Sequence, residues 1–255
     1  MSTNGKSNGS DTGAAGGIKN ISDSLAKPLA KRFYKDVSVG EGAFFQVLLD
    51  GRPIKTPGKK ALMLPTRALA GLVADEWAAQ EGEINPSTMP LTRFSNTAID
   101  AVSGALEEVA ADIVAYSGRD LLCYRAGDQP QLAKKQAELW DPVLAWAREA
   151  LGARFDIAEG VMPIDQPAPA LKAVARALEP HDAYRLTALH VMTTLTGSAI
   201  LSLAHSRGAL DAAAAWAAAH ADEDYQISMW GEDYEASVKR GQRKAEFDAA
   251  SRYLR

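Results

Sequence analysis

The stretch Phe45–Leu64, FQVLLDGRPIKTPGKKALML, reads as consecutive short strands. Phe45, Val47 and Leu49 alternate with less apolar neighbours, the period of a half-buried strand, and run into Asp50-Gly51, a dipeptide suited to a type I′ hairpin turn. Arg52 to Thr56 is then the return strand, Pro57-Gly58-Lys59-Lys60 a second turn, and Ala61 to Leu64 a further apolar strand. Upstream, Phe33, Lys35, Val37 and Val39 repeat the period of two, and Gly40-Glu41-Gly42 reads as the turn into Phe45. A meander this small does not bury enough to stand alone, so it is expected to curl into a barrel-like unit or to pack on helices.

Downstream of Pro65 the period changes. Thr66 is placed to cap a helix whose apolar stripe is Leu69, Leu72, Val73 and Trp77, ended by Gly82 and Pro86. Asn85 to Thr92 (NPSTMPLT) carries two prolines and is expected to be a connector. Helices are expected over about 94–117, 131–151, 168–179, 182–206 and 209–239, with Pro142 kinking or restarting the second, Asp141 as its cap. The fold class is therefore α+β: a small β-rich domain over 31–90 with one helix, then a larger helical domain over 91–255. The first thirty residues, rich in Gly, Ser, Thr and Asn and without an aromatic side chain, are assigned as a disordered tail.

The composition excludes several classes. The 255 residues hold 28 basic and 32 acidic side chains, one Cys and four His, with 47% apolar content. One cysteine supports neither a disulfide framework nor a thiolate zinc site, and fits a reducing compartment. A net charge of −4 is not the footprint of a general nucleic-acid binder, and no apolar run approaches the roughly 20 residues of a bilayer span. The N-terminal segment lacks the apolar core of a secretory signal. Its Asp11 and Asp23, with no arginine before Arg32, do not resemble a mitochondrial presequence. A bacterial cytoplasm is expected, or the mitochondrial matrix if the source is eukaryotic.

Reactive chemistry is scarce. No HExxH, CxxC or GxGxxG pattern occurs and no GxSxG elbow, since the GKSNG match at Gly5–Gly9 lies in the segment assigned as a disordered tail; the glycines of Gly51–Lys60 are too far apart for a phosphate loop. Cys123, within Leu121-Leu122-Cys123-Tyr124, is read as a buried small hydrophobe. His190 and His205 are read as hydrogen-bonded core or boundary residues, and Glu107-Glu108 as a solvated helix face. No catalytic residue, cofactor or metal is assigned.

One constellation stands out. Trp216, His220, Glu223, Ile227, Trp230 and Tyr234 follow a 4-3-4-3-4 spacing, which places them on one stripe of a helix capped by Asp211. Asp222 and Asp224, rotated to either side, are free to stay in water. A carboxylate inside an aromatic stripe is costly to desolvate alone, so Glu223 requires a partner. That partner is internal, from His220 or an arginine of another helix, or external, with Glu223 as the polar anchor of an apolar binding patch.

Seven segments in order, KRFYKDV (31–37), LDGRPIKTP (49–57), LVADEWAAQ (72–80), MPLTRFSNTAID (89–100), LLCYR (121–125), WDPVLAW (140–146) and DYQISMWG (224–231), resemble the assembly chaperones of the F-type ATP synthase that bind its alpha subunit. The resemblance spans roughly Lys31 to Tyr234. It implies a β-rich N-terminal domain with a larger helical one, and a non-enzymatic function. The expected partner is the unassembled alpha subunit, whose beta-facing surface the chaperone covers until the alternating ring forms. It also implies a functional acidic residue just before the Tyr-Gln…Trp-Gly motif. Glu223 is the choice here and Asp224 the second, with Trp230, Trp216 and Ile227 as partner-binding neighbours. A monomer is expected, with no nucleic acid bound and no membrane insertion. The alternative is an enzyme with a carboxylate-based site between the two domains. A third reading, RNA binding, rests on Lys59-Lys60, Lys239-Arg240 and Arg243-Lys244.

Overall fold

The computed structural model describes residues 29–160 and 162–255. The expected disordered tail lies outside the described residues except at Leu29 and Ala30, and Ala30 already belongs to a strand. Strand β1 (Ala30–Lys31) pairs antiparallel with β6 (Glu83–Ile84), so the start of the described chain is tied to the far end of the first helix. Neither two-residue strand carries a period that sequence reading could detect.

The meander forms as expected at its centre. β2 (Val37–Gly40) and β3 (Phe45–Leu49) pair antiparallel, and β3 turns through Asp50 (φ 48°) and Gly51 (φ 77°) into β4 (Arg52–Pro53), the two positive φ values of a type I′ turn. β5 (Met63–Leu64) pairs with the start of β3. The return strand is shorter than Arg52–Thr56. Pro53 removes a ladder donor, and only the Lys55–Ala61 bridge continues the pairing. The Asp100 carboxylate then pins the second turn, accepting from Thr56 Oγ1 at 2.7 Å and Gly58 N at 2.8 Å. Phe33, expected to alternate into the sheet, is 74% exposed. The sheet is open rather than a closed barrel.

Helix α1 (Arg67–Ala78) starts where Thr66 predicts, its hydroxyl accepting from Leu69 N at 3.1 Å, and buries Leu69, Ala70, Val73 and Ala74. The single helix expected over 94–117 is two: α2 (Pro90–Asp100) and α3 (Leu106–Ser117), parted by a tight turn at Val102–Gly104. α2 begins inside the expected connector because Glu76 of α1 caps it. Glu76 Oε1 accepts from Leu91 N at 2.7 Å, and Oε2 accepts from Thr92 N and Thr92 Oγ1, both at 2.8 Å. Helix α4 (Pro130–Trp146) runs through Pro142 without a restart and widens into one π turn at Ala147–Leu151. β7 (Tyr124–Arg125) and β8 (Ala158–Glu159) form a parallel pair beside it. α5 (Ala168–Leu178) agrees with its expected span.

The stretch 182–206 divides at Gly197 into α6 (Ala183–Thr196) and α7 (Ala199–Ser206), with Asp182 and Ser198 as caps. The stretch 209–239 divides twice, into α8 (Ala212–Ala219), α9 (Ala221–Trp230) and α10 (Tyr234–Tyr253). The last of these runs well past the expected end.

The largest apolar cluster joins both parts of the chain. Tyr34, Val47, Leu62 and Leu64 from the meander and Val73 from α1 belong to it, as do Phe94 (α2), Met192 (α6), Trp216 (α8), Phe247 and Tyr253 (α10). α1 packs directly on the sheet, and α2, α6, α8 and α10 extend the same core behind it, which is how a meander of this size is stabilised. Cys123 is fully buried and its thiol is pushed up to about 12 by desolvation, as befits a small core hydrophobe. Asp120, also fully buried, accepts from Leu122 N and Ile200 N, both at 3.1 Å. It fastens the start of α7 to the 121–123 turn, and burial raises its carboxyl to about 6.

Candidate functional site

The aromatic stripe does not lie on one helix. His220 breaks the helical path between α8 and α9, with φ −116° and ψ 22°, and Gly231 ends α9 with φ 86° and ψ 175°. That second conformation is essentially restricted to glycine, since a Cβ would strain it. Asp233 then caps α10 by accepting from Ala236 N at 2.8 Å. Two breaks in fifteen residues separate what the spacing aligned.

Trp216 points inward. It is buried, stacks on the His220 ring at a centroid distance of 3.7 Å, and packs on Phe247 at 5.4 Å. His220 Nδ1 donates to Trp216 O at 2.9 Å. Desolvation lowers the imidazole pKa below its ordinary value, more than Glu223 raises it. At the other end, Trp230 is 74% and Tyr234 82% exposed, with Met229 and Val238 beside them also in solvent. Four large apolar side chains within seven residues of the glycine elbow stand in solvent, and exposure grouped in this way is a mark of interaction sites.

Between these ends sits a charge cluster. Arg240, from the second turn of α10, pairs with Asp224 through Nη2 and approaches Glu223 Oε2 with Nε at 3.8 Å. His220 Nε2 lies 4.0 Å from the same Glu223 oxygen. Arg240 is therefore the internal partner of Glu223, through charge at 3.8 Å, and it also takes Asp224; the neutral His220, its proton on Nδ1, offers Glu223 no donor. The expectation that Asp222 and Asp224 stay in water is corrected: Asp222 Oδ1 accepts from Gln136 Nε2 of α4 at 2.7 Å, and Asp224 is held by Arg240. The first turn of α9 carries all three acids, where the positive end of the helix dipole favours them. A groove of about 250 Å³ runs under the elbow, lined by Glu223, Ile227, Trp230, Ala236 and Arg240.

The structure therefore gathers Glu223, Asp224, Ile227 and Trp230 at one surface and assigns Trp216 to the core behind it. The expected arginine from another helix is Arg240, which the sequence presents only as part of the basic patch Lys239-Arg240; Met229, Val238 and Gln136 are not singled out by it. A signal for Arg240 existed: three acids, then Gly231, a capping Asp233 and a basic run, which is the pattern of two helices clasped across a turn.

Other candidates resolve into structure. His190 Nε2 meets Asp112 Oδ2 at 2.7 Å, and His205 bonds Leu210 O and Ser251 Oγ at 3.0 and 2.9 Å. Of the basic patches, Lys60 donates to Ile99 O, Arg243 to Leu195 O and Lys244 to Asp248. A cavity of about 710 Å³ between the 86–90 segment and α10 contains Glu76, Arg93, Glu246 and Arg252, which is where a carboxylate-based enzyme would place its site. Burial raises the Glu76 pKa, yet both its oxygens are occupied capping α2, so it offers no free base. Among the described residues no group of three or more His, Cys, Asp or Glu could hold a metal, and no helix is long and apolar enough to cross a membrane.

A family model of the ATP12 chaperone protein matches residues 31–148. Solved structures extend the likeness to most of the chain. The Atu1473 protein of Agrobacterium tumefaciens is 48% identical over 94% of this chain and 91% of its own, with a TM-score of 0.86. Atp12 from Paracoccus denitrificans is 43% identical over 88% of this chain and 97% of its own, with a TM-score of 0.82. With the fold, the glycine elbow and these likenesses taken together, the chain belongs to the ATP12 chaperone family.

Proposed function

We propose that this protein is an assembly chaperone of the F-type ATP synthase that binds the unassembled alpha subunit and shields its beta-facing interface until beta displaces it. The observation that carries the reading is the elbow, where Trp230, Tyr234, Met229 and Val238 stand in solvent beside an ion-paired acidic cluster. An isolated ring subunit exposes a surface evolved for burial, which is an aggregation hazard. A chaperone that covers it with a standard interface of about 1,600 Å² needs no nucleotide. Release follows when beta buries more area or better-matched area. Rigid aromatic anchors supply the affinity, and the Glu223–Asp224–Arg240 cluster sets register against polar groups of the client. The family membership supports a non-enzymatic role. The working compartment is the one in which the catalytic sector is built, the cytoplasm of a bacterium.

The test is co-purification with newly made alpha subunit, with and without beta. Recovery of alpha with the chaperone, and its loss when beta is added, is the expected result. Failure to recover alpha, or a complex that beta does not dissociate, defeats the mechanism.

A further inference from the structure

A second surface, on the meander and remote in sequence from the elbow, has its own unmet chemistry. Phe33, Leu49, Arg52, Pro53, Ile54 and Trp77 line a groove of about 560 Å³, with Asp50 and Lys55 at its margin. Its apolar floor is made of the buried Leu49 and Ile54 with the half-buried Trp77, and Phe33 stands over it 74% exposed. The Phe33 side chain touches the core edge-to-face, through Tyr34 at a centroid distance of 5.4 Å, and leaves most of its ring in solvent.

Two polar features give this groove a sign. Arg52 and Lys55 are exposed, and neither has an ion-pair partner among the described residues. Asp50, the one carboxylate lining the groove, is committed to its own loop: Oδ1 accepts from Lys35 N at 3.0 Å and Asp36 N at 2.9 Å.

We infer that this groove is a docking site for an acidic, apolar-anchored peptide segment of a partner protein, in which an apolar side chain packs between Phe33 and Trp77 and carboxylates face Arg52 and Lys55. Each element of the ligand answers one observed feature: the exposed ring over an apolar floor, and the two unpaired cations. Aromatic–apolar packing anchors such a segment, and the charges select it over basic competitors. The surface is separate from the elbow, so the protein holds two contacts whose affinities multiply when one client engages both.

The experiment uses the full chain labelled with 15N. The Trp77 indole resonance is assigned by Trp77→Phe, and the probes are peptides of one length carrying a central Leu or Phe flanked by Glu, by Gln or by Lys. The Glu-flanked peptide is expected to bind best and to shift the Trp77 indole resonance as its apolar side chain packs on the ring. The double variant Arg52→Glu/Lys55→Glu is expected to weaken it about tenfold. Phe33→Ala, at an exposed position, is expected to weaken all apolar-centred peptides without changing the order of preference. Trp230→Ala at the elbow is expected to leave the titration unchanged. Three outcomes overturn the inference: equal binding of Glu- and Lys-flanked peptides, no peptide binding at all, or binding that leaves the Trp77 indole resonance unmoved.

Discussion

Trp216 and Trp230 lie fourteen residues apart on what the sequence presents as one helical stripe, and the protein puts them to opposite uses. Trp216 is clamped between His220 and Phe247 in the shared core, whereas Trp230 stands in solvent as the last residue of α9. The difference is made by two backbone events, at His220 and Gly231, not by the chemistry of the side chains. A binding surface can thus be built from the same aromatic pattern as a core, provided the helix is broken at the right place.

The comparison is broken most severely by truncating each tryptophan in turn. Trp216→Ala removes a buried ring and is expected to cost about 3–5 kcal/mol, read by denaturant unfolding, with client binding lost only as far as folding is lost. Trp230→Ala is expected to leave the unfolding midpoint nearly unchanged and to weaken capture of alpha by about 2 kcal/mol, or roughly thirtyfold. Equal stability losses would mean the two rings are not in different environments. Gly231→Ala forces a Cβ into a backbone region that glycine alone occupies readily. The expected loss is about 1–3 kcal/mol of stability, with a reoriented elbow that binds alpha less well even where the fold survives.

Smaller effects sharpen the picture. Glu223→Gln leaves Arg240 paired with Asp224, so a stability change of about 1 kcal/mol or less is expected, with weaker rescue of alpha in an aggregation assay. A large drop in melting temperature would instead assign Glu223 to the fold alone. The smallest effect concerns pH. The folded-state pKa of His220 is lowered from 6.5, so the unfolded chain takes up this proton first as pH falls. The contribution of neutral His220 is fully present above about 6.5 and declines as pH drops through the lower folded value. His220→Gln should flatten that part of the stability–pH curve, while Trp230 fluorescence at the elbow stays insensitive to it.

The order of elements was legible where local chemistry decides them. Asp50-Gly51 dictates its turn, Thr66 caps its helix, and the apolar period of Leu69 to Trp77 fixes the buried face of α1. Helix breaks were less legible. Gly197 and Gly231 are plain in the sequence, but a helical period that continues on both sides of a glycine masks it. Glu76 illustrates a second blind spot, since a carboxylate fourteen residues before Pro90 starts α2 and no local window contains both. At the site, spacing pointed to Glu223, Ile227 and Trp230. Which of these face solvent depended on α10 folding back to supply Arg240, a tertiary fact.

The cluster that unites Tyr34 and Val47 with Phe247 and Tyr253 also sets a timetable for synthesis. The meander is synthesised well before the α10 residues that complete the core it shares. A nascent chain halted before α10 leaves that core incomplete and lacks Arg240 to brace the elbow. The protein therefore becomes competent only once α10 has been made, and passes through its own interval of exposed apolar surface before it can guard that of another chain.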